Sequence, residues 1–435
     1  MNYSETLSYL YAQSPDFQNV GKKAYKPGLE NTLRLDEYFG HLHRKFKSIH
    51  VAGTNGKGST SHMLAAVLQT AGYRVGLYTS PHLVDFRERI KVNGEEISEQ
   101  AVIDFTEKNR AVVERIRPSF FELTMMMAFD FFVQKNVDVA VVEVGLGGRL
   151  DSTNVITPVL SIITNIGLEH TDLLGDTLEK IATEKAGIIK PNVPVVVGEY
   201  QVEVAQVFER KAAECKAPIT FANSIHCHCG LDPQSQNRGI AGQARNDNRK
   251  IYALDLHGDY QQKNLCTVLA ALSVLREQNE LSFSEKNIED GLLHAAVLTG
   301  LRGRWQVVES NPTAVFDTGH NAHGLAQTMA QLRQILCRQL HIIFGMVADK
   351  DIDSAIALLP KNAVYYFTQA AIPRAMPADV LAEKCRAIGL QGEAFSSVAL
   401  ALAAAKKNAA DNDFIYVGGS TFIVADALKV VESGE

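Results

Sequence analysis

The chain has 435 residues, of which 46% are hydrophobic, and its formal net charge is −6. This length predicts two or three globular domains, and the mild negative charge gives no reason to expect general binding to nucleic acid or to an anionic membrane. There is no apolar run as long as a membrane span and no signal-peptide pattern, so we expect a cytoplasmic protein. The six cysteines are irregularly spaced, which is typical of reduced thiols.

Short apolar runs alternate with helical segments, which predicts parallel sheets covered by helices on both faces. Before the middle of the chain, strands are predicted at 49–52, 74–79, 137–144, 159–165 and 194–198, and helices at 59–71 and 122–135. Later strands are predicted at 251–256, 314–317, 340–344, 363–368 and 414–417, and later helices at 261–278, 324–337 and 397–408.

The glycine-containing stretch at 298–304 follows a helical segment, and we place a domain boundary there. The predicted architecture is α/β. A P-loop NTPase-like domain with a mostly parallel sheet covers residues 1–299, and a smaller Rossmann-like α/β domain covers residues 300–435.

Residues 223–249 have a different composition, poor in apolar residues and rich in Gly, Asn, Gln and Arg. This composition predicts an inserted surface loop without a functional role. The run from His226 to Cys229 raises the alternative of a zinc-binding module. Four consecutive residues cannot all reach one tetrahedral ion, however, so a solvated loop is the favoured interpretation.

A glycine-rich motif at residues 53–60 is typical of a phosphate-binding loop, because it follows a predicted strand and opens a predicted helix. In this interpretation Lys57 contacts the β- and γ-phosphates, and the Ser59 hydroxyl binds Mg²⁺. The spacing departs from G-x-x-x-x-G-K-[ST], since Gly58 follows the lysine. The alternative is a glycine-rich turn with an incidental lysine. The loop residues are Gly53, Thr54, Asn55, Gly56, Lys57, Gly58, Ser59 and Thr60.

Acidic and histidine side chains follow other predicted strands. Glu143 ends an apolar strand, and a carboxylate beside a phosphate loop is a candidate metal ligand, although taken alone it is as often a surface acid. His82 and His170 also lie just beyond strand ends, on the edge of the sheet that carries the phosphate loop. A lone histidine is more often structural than catalytic, so the residues alone leave both roles open.

A series of motifs follows the order found in the folylpolyglutamate synthase/dihydrofolate synthase family, which the chain resembles over nearly its whole length outside 223–249. The loop sequence T-N-G-K-G-S resembles that of this family, whereas the related Mur ligases tend towards T-N-G-K-T-T. The resemblance implies an ATP-dependent, ADP-forming ligase that attaches glutamate to a folate-type carboxylate. The motifs lie at residues 53–60, 80–83, 121–124, 143–154, 168–175, 184–188 and 303–305.

The resemblance also implies a metal site. Ser59, Ser80, Glu143 and His170 match the positions that hold one or two Mg²⁺ ions around the ATP phosphates. Lys185 matches a lysine that is carbamylated in many members, where the new carboxylate supports the second metal. The alternative for Lys185 is an ordinary lysine on the surface of a helix.

Nucleotide contacts are implied at Asn264, Arg304, Asp317 and His320, the last three from the second domain. The family often reads D-x-A-H-N-P at the last of these motifs. In this chain Ala322 replaces the proline, and Gly319 replaces the alanine before the histidine. The aspartate and histidine are retained, so their roles are carried over.

The pterin side is implied by residues 26–31, which resemble a flexible covering loop, and by Phe121, Arg149 and Asp151, which resemble the dihydropteroate pocket of bifunctional bacterial enzymes. The alternative for Phe121 is a core position. The expected partners are L-glutamate and dihydropteroate or a reduced folate, without nucleic acid or membrane, and the family is commonly monomeric.

The implied reaction transfers the γ-phosphoryl group of ATP to a carboxylate, and the glutamate amine then displaces phosphate. Closure of a cleft between the domains would protect the acyl phosphate from water. Two alternatives are weaker. A Mur-type ligase acting on a UDP-muramyl precursor is disfavoured by the loop sequence, and another P-loop NTPase would leave the second α/β domain unexplained.

Overall fold

A computed structural model describes residues 1–13, 28–222, 228–230 and 250–434. The chain forms two compact units. The first contains Met1–His82, Arg87–Asp255 and Gln261–Leu301, and the second contains Leu83–Phe86, Leu256–Tyr260 and Arg302–Glu435. The described part of the chain contains no helix that is long and apolar enough to span a membrane.

The first unit is built on an eight-stranded sheet in its described residues, with the order β4-β3-β2-β5-β1-β6-β7-β8. The strands from β2 to β8 in this order run parallel, and β3 and β4 are antiparallel additions at one edge. The strands are β1 (Lys47–Ala52), β2 (Val75–Tyr78), β3 (Ile90–Val92), β4 (Glu95–Glu96), β5 (Val139–Glu143), β6 (Leu160–Ile163), β7 (Val195–Val197) and β8 (Ile219–Phe221).

The central strands explain why a phosphate loop is found here. Every residue of β5 is buried, and its apolar run is typical of a parallel strand covered on both faces. β1 pairs with β5 on one side and with β6 on the other. Because parallel strands end at the same edge of a sheet, the segments that follow β1, β2, β5 and β6 all begin along that edge.

Helices cover this sheet, and side-chain caps fix several of their first residues. Ser119 and Glu122 form a capping box, so the helix predicted to begin at residue 122 begins at Phe120. The helices are α1 (Tyr3–Gln13), α2 (Glu30–Tyr38), α3 (Lys57–Thr70), α4 (Glu99–Ile116), α5 (Phe120–Gln134), α6 (Thr171–Leu174), α7 (Leu178–Ala186), α8 (Ala205–Cys215), α9 (Gln261–Glu277), α10 (Glu285–Leu293) and α11 (Ala295–Thr299).

The second unit contains a six-stranded sheet in its described residues, with the order β11-β12-β16-β13-β14-β15. All pairs are parallel except β11 with β12. The last strand, β16, lies between β12 and β13, so the strand order reverses there. The strands are β11 (Gln306–Ser310), β12 (Thr313–Phe316), β13 (Leu340–Phe344), β14 (Val364–Thr368), β15 (Gly392–Phe395) and β16 (Phe414–Gly418).

One helix of the second unit differs from its predicted extent. The segment predicted as 324–337 is helical from Ala322 to Leu332, beginning after the Asn321 cap. Ile335 and Cys337 pack against the core beyond the end of the helix, so their apolar pattern resembles a continuing helix. The helices of this unit are α12 (Ala322–Leu332), α13 (Ile352–Ile356), α14 (Ala378–Ala387), α15 (Val398–Asn408) and α16 (Thr421–Ser433).

These two α/β units confirm the predicted fold class. Within the predicted insert, His228–Gly230 forms strand β9, which pairs in parallel with β10 (Ile251–Ala253), and the rest of 223–249 lies outside the described residues. Cys266 is disulfide-bonded, contrary to the expectation of reduced thiols. Spacing along the sequence does not reveal which thiols the fold brings together. Cys215 and Cys385 are free thiols.

Candidate active site

The phosphate loop, residues 53–60, runs from the end of β1 into the first turn of α3. Gly53 and Gly56 have φ values of +145° and +84°. A Cβ atom on Gly53 would lie 1.8 Å from Oγ1 of Thr164, and one on Gly56 would lie 2.2 Å from Oδ1 of Asn264. The two glycines are therefore required both by backbone conformation and by the close approach of neighbouring elements.

The end of β6 holds the phosphate loop in shape. The backbone N–H of Thr54 donates to the carbonyl of Asn165 at 2.9 Å, and that of Asn55 donates to the Asn165 side chain at 2.9 Å. The hydroxyl of Thr164 donates to the carbonyl of Asn55 at 2.6 Å. Sequence analysis missed Thr164 and Asn165 as site residues, and the available signal was their polarity at the end of an apolar strand.

Two lysine side chains meet at the carbonyl of Gly53. Nζ of Lys57 donates to this oxygen at 3.0 Å and to the carbonyl of Thr54 at 3.2 Å. Nζ of Lys185, on α7, donates to the Gly53 carbonyl at 2.8 Å. The loop therefore brings together two lysine amines from distant parts of the chain, and their separation in sequence hid this pairing.

Lys185 has an unusual protonation equilibrium. The side chain is buried, and burial, followed by the charge of Lys57, lowers the pKa of Lys185 to about 7. The negative charges of Glu169 and Asp151 oppose this shift. A large fraction of the amine is therefore uncharged at neutral pH, which is the form that reacts as a nucleophile.

The four predicted metal ligands lie at or beyond the ends of four parallel strands of the same sheet, β1, β2, β5 and β6. Ser59 is buried in the first turn of α3, and Glu143 is buried at the end of β5. The backbone N–H of Ser80, just after β2, donates to Oε2 of Glu143 at 3.2 Å, so these two residues are brought together. His170 lies after β6 with a left-handed φ of +50°, and its Nε2 is 3.9 Å from Oε1 of Glu169.

The chemistry of this donor set fits Mg²⁺. Hydroxyl and carboxylate oxygens are the ligands that Mg²⁺ prefers, and the ion usually takes further ligands from phosphates and water. Within the described residues, no group of three or more His, Cys, Asp or Glu side chains is placed to hold a metal ion. The oxygen atoms of Ser59, Ser80 and Glu143 are of the kind that could bind Mg²⁺ together with phosphate oxygens and water.

Asn264 lies on the first turn of α9 and is 6% exposed. Its amide nitrogen donates to Oε1 of Gln261 at 2.8 Å, and its oxygen lies against Gly56. Nε2 of Gln261 donates to Oγ of Ser59 at 3.2 Å. Gln261 is a further site residue that sequence analysis did not identify, because its role depends on a contact across 202 residues of sequence.

Two of the predicted pterin-side residues flank the glycine turn that follows β5. The Phe121 ring lies against Gly145, where a Cβ atom would be 2.6 Å from the ring. Its centroid is 5.7 Å from that of Tyr78. Arg149 is exposed, and its guanidinium donates to Oε1 of Glu184 at 2.8 and 3.2 Å. The partly exposed ring and the exposed cation are both placed where a ligand can reach them.

Asp151 has a different environment. It is 6% exposed, and burial raises its pKa. One carboxylate oxygen accepts from the backbone N–H of Leu146 at 2.8 Å, and the other accepts from the N–H and the hydroxyl of Thr153 at 3.0 and 2.5 Å. Asp151 therefore shapes the turn at 145–148, and any contact with substrate would be additional to these bonds.

In the second unit, Asp317 lies at the end of β12 and is 2% exposed. Its carboxylate accepts from the hydroxyl of Tyr260 at 2.6 Å and from the backbone N–H groups of Trp305 and Gly319, both at 2.9 Å. Tyr260 was not identified from the sequence. Arg304 is close enough to act electrostatically on Tyr260.

His320 follows Asp317 on the same loop and is partly exposed. Its Nδ1 lies 3.0 Å from the carbonyl of Thr318. Arg304, Asp317 and His320 therefore occur near the carboxyl end of one strand, beside the point where the strand order reverses. In open α/β sheets, ligands bind at such points.

Comparison with known families defines the class of the protein. Residues 51–272 match the Mur ligase middle domain, and residues 303–421 match the Mur ligase glutamate ligase domain. The chain is 33% identical over 422 residues to the dihydrofolate synthase/folylpolyglutamate synthase of Bacillus subtilis, covering 94% of this chain and 96% of that protein. It belongs to the dihydrofolate synthase/folylpolyglutamate synthase family.

Solved structures give the same result. Escherichia coli FolC in complex with DHPP and ADP has a TM-score of 0.83 and 32% identity, covering 100% of this chain and 98% of that one. A bifunctional folylpolyglutamate synthase/dihydrofolate synthase with Mn, AMPPNP and L-glutamate bound has a TM-score of 0.79 and 32% identity, covering 99% and 98%. The similarity extends over the whole chain and is not confined to the phosphate loop.

Proposed function

We propose that this protein is an ATP-dependent, ADP-forming ligase that joins L-glutamate to dihydropteroate, to folylpoly-γ-glutamate, or to both. The observation that carries the proposal is the phosphate loop on β1, with Glu143 at the end of the neighbouring strand and Lys185 bonded to the Gly53 carbonyl. In a chain of this family, the loop with Lys57 would supply positive charge to the phosphates of ATP, and Glu143 and a carbamate on Lys185 would supply oxygen ligands to Mg²⁺.

The reaction needs an activated carboxylate, because an ionised carboxylate does not react with an amine at neutral pH. A carboxylate oxygen attacks the γ-phosphorus of ATP, the bond to ADP breaks, and an acyl phosphate forms. The glutamate amine then attacks the acyl carbon, the amine loses a proton, and inorganic phosphate leaves. The protein contributes positioning and charge stabilisation to both steps.

The first unit is proposed to bind the triphosphate. The backbone N–H groups at the start of α3 would donate to phosphate oxygens, and the helix dipole favours their negative charge. Lys57, already held over the loop by the carbonyls of Gly53 and Thr54, offsets the charge that develops during phosphoryl transfer. This requires only a local movement of the lysine side chain.

Ser59, Ser80, Glu143 and His170 are proposed to hold one or two Mg²⁺ ions. A bound Mg²⁺ would neutralise phosphate charge and polarise the transferred phosphoryl group. Lys185 is proposed to be carbamylated. Its amine loses a proton and gains CO₂, and the resulting carbamate supplies an anionic oxygen ligand in place of a cation. The lowered pKa of Lys185 supports this proposal, because only the uncharged amine reacts with CO₂.

The remaining assignments are proposals from the family resemblance. Asn264, Arg304, Asp317 and His320 are proposed to contact the nucleotide. Phe121 and Arg149 are proposed to contact the pterin-bearing substrate, and Asp151 to shape its pocket. The glutamate site is proposed to lie in the second unit. A monomeric, cytoplasmic enzyme with small-molecule substrates and without nucleic acid or membrane partners remains the expectation from the sequence.

An acceptor-dependence assay tests the proposal. ADP release is measured with ATP, Mg²⁺ and L-glutamate, in the presence of 7,8-dihydropteroate, tetrahydrofolate, a UDP-muramyl acceptor or no acceptor. We expect release that requires both glutamate and a pterin acceptor, and stimulation by both pterins would establish the bifunctional enzyme. Stimulation by the UDP-muramyl acceptor alone would contradict the proposed substrate class while preserving the ligase chemistry.

A further inference from the structure

Gln261 is the first residue of α9 and is 1% exposed, yet its amide group is directed at the phosphate loop and not at solvent. Nε2 donates to Oγ of Ser59 at 3.2 Å, and Oε1 accepts from Nδ2 of Asn264 at 2.8 Å. Each end of the amide is thus bonded to a different side chain. An acceptor oxygen facing Asn264 and a donor nitrogen facing Ser59 form one consistent hydrogen-bond arrangement.

The two partners of Gln261 have separate proposed roles. Ser59 is a proposed metal ligand, and Asn264 is a proposed nucleotide contact. Asn264 also touches the loop directly, because its Oδ1 would lie 2.2 Å from a Cβ on Gly56. One buried amide therefore connects the hydroxyl proposed to bind the metal with the side chain proposed to contact the nucleotide.

This connection has an energetic consequence. A buried amide that loses a hydrogen-bond partner is destabilised, so Gln261 restricts the orientations of both side chains. The N–H donated by Gln261 occupies one lone pair of the Ser59 oxygen and leaves the second lone pair and the hydroxyl proton for other partners. A change at Ser59 on metal binding is then transmitted to Asn264 through a single rigid group.

We propose that Gln261 is a positioning residue that couples metal binding to nucleotide binding. The inference rests on the proposed function, since it takes Ser59 and Asn264 to act on Mg²⁺ and on ATP. Such coupling is measured by comparing the nucleotide Kd without Mg²⁺ with the Kd in its presence. The nucleotide binds more tightly with Mg²⁺, and Gln261 supplies part of that difference.

The test is an equilibrium measurement on the full chain. Isothermal titration calorimetry gives the Kd of AMPPNP in Mg²⁺ and in EDTA, for the wild type and for Gln261→Met, whose side chain has a similar length and no amide. We expect the Kd in EDTA divided by the Kd in Mg²⁺ to be about fivefold or more smaller in Gln261→Met than in the wild type, mainly because binding in Mg²⁺ is weaker. Gln278→Met, at an exposed position just beyond the other end of α9, is the control.

The outcomes separate the two proposals. A lower melting temperature with an unchanged Kd ratio would show that Gln261 is only structural and would overturn the inference. A wild type that binds AMPPNP but shows no pterin-dependent turnover would instead contradict the proposed function. If Gln261→Met does not fold, Gln261→Asn replaces it: this side chain keeps an amide but is one methylene shorter, and the same loss of coupling is expected.

Discussion

Lys185 shows at the level of one residue how the fold changes chemistry. On an exposed helix, a lysine amine stays protonated at neutral pH. Here the side chain is buried beside Lys57, and the pKa of Lys185 falls to about 7. The resemblance predicted a carbamylated lysine from the motif alone. The structure adds the physical reason why this amine is suited to react with CO₂, although the modification itself stays a proposal.

Carbamylation of Lys185 is expected to increase with pH. The uncharged fraction of the amine rises as pH passes through about 7, so the ¹³C NMR signal of a carbamate formed from labelled bicarbonate should be larger at pH 8 than at pH 6. The signal should disappear in Lys185→Met and persist in Lys180→Met, an exposed lysine on the same helix. An unchanged signal in Lys185→Met would refute the assignment.

The same pKa shift makes the free energy of unfolding depend on pH, and the direction of the shift determines the direction of that dependence. The pKa of Lys185 is lowered from 10.5 to about 7 in the folded protein, so the unfolded chain binds more protons between these values. The contribution of Lys185 to the free energy of unfolding therefore rises as pH increases from about 7 towards 10.5. Below that interval both states carry the charge, and the folded state bears the cost of burying it.

Gly53 is expected to tolerate no side chain. Gly53→Ala would place a methyl group 1.8 Å from Oγ1 of Thr164 at a φ of +145°. We predict that nucleotide affinity falls by at least about tenfold, measured as the Kd of AMPPNP. Gly72→Ala is the control for backbone strain alone, because its φ is +90° but no atom lies within 4 Å of the new methyl group. Equal losses in both variants would exclude a specific role for the contact with Thr164.

Residues within one motif could be predicted from the sequence, and residues joined across the fold could not. The phosphate loop was recognised because its glycines, lysine and serine are contiguous. Asn165 and Gln261 were missed, since their bonds to the loop span 110 and 202 residues of sequence. A single sequence carries no signal for such pairings beyond the polarity of the residues concerned.

At the scale of elements, the strands themselves were easier to predict than which strands pair with one another in the sheet. The apolar run of β5 is recognisable on its own, but its place between β2 and β1 depends on pairing with distant segments. The predicted first residue of α5 was wrong for a local reason. The capping box at Ser119 places the start of α5 before the predicted residue, because a cap determines the first turn independently of the apolar pattern.

The segment Leu256–Tyr260 provides a test at this scale, because it contributes Tyr260 to the carboxylate at the end of β12. Tyr260→Phe removes the hydroxyl that donates to Asp317 at 2.6 Å. We predict that the Kd for AMPPNP rises about threefold to tenfold, since a hydrogen bond to a charged group is lost. A KM for ATP that rises more than kcat falls would show the same effect in turnover.

Tyr416→Phe is the matched control for this change. Tyr416 is buried in the same unit, and its hydroxyl has no hydrogen-bond partner among the described residues. Its removal should leave the Kd for AMPPNP unchanged. If both phenylalanine variants weaken binding equally, the effect arises from packing in the second unit and not from the bond to Asp317.

At the scale of the whole molecule, the alternation of strands and helices was sufficient to predict two α/β units. It could not show that Leu83–Phe86 and Leu256–Tyr260 belong to the second unit, because short segments have no periodic pattern of their own. The family was identified from several motifs in order, and the matches over the whole chain confirm it. The choice between one and two ligase activities depends on the acceptor and has to be measured.

The acyl phosphate is the central claim of this account, and oxygen transfer tests it most directly. Dihydropteroate labelled with ¹⁸O in both carboxylate oxygens is incubated with ATP, Mg²⁺ and L-glutamate, and the phosphate and pterin products are analysed by mass spectrometry. The account predicts one ¹⁸O atom in each phosphate released and one in the new amide. Unlabelled phosphate, formed together with the glutamate product, would contradict activation of the carboxylate by phosphoryl transfer.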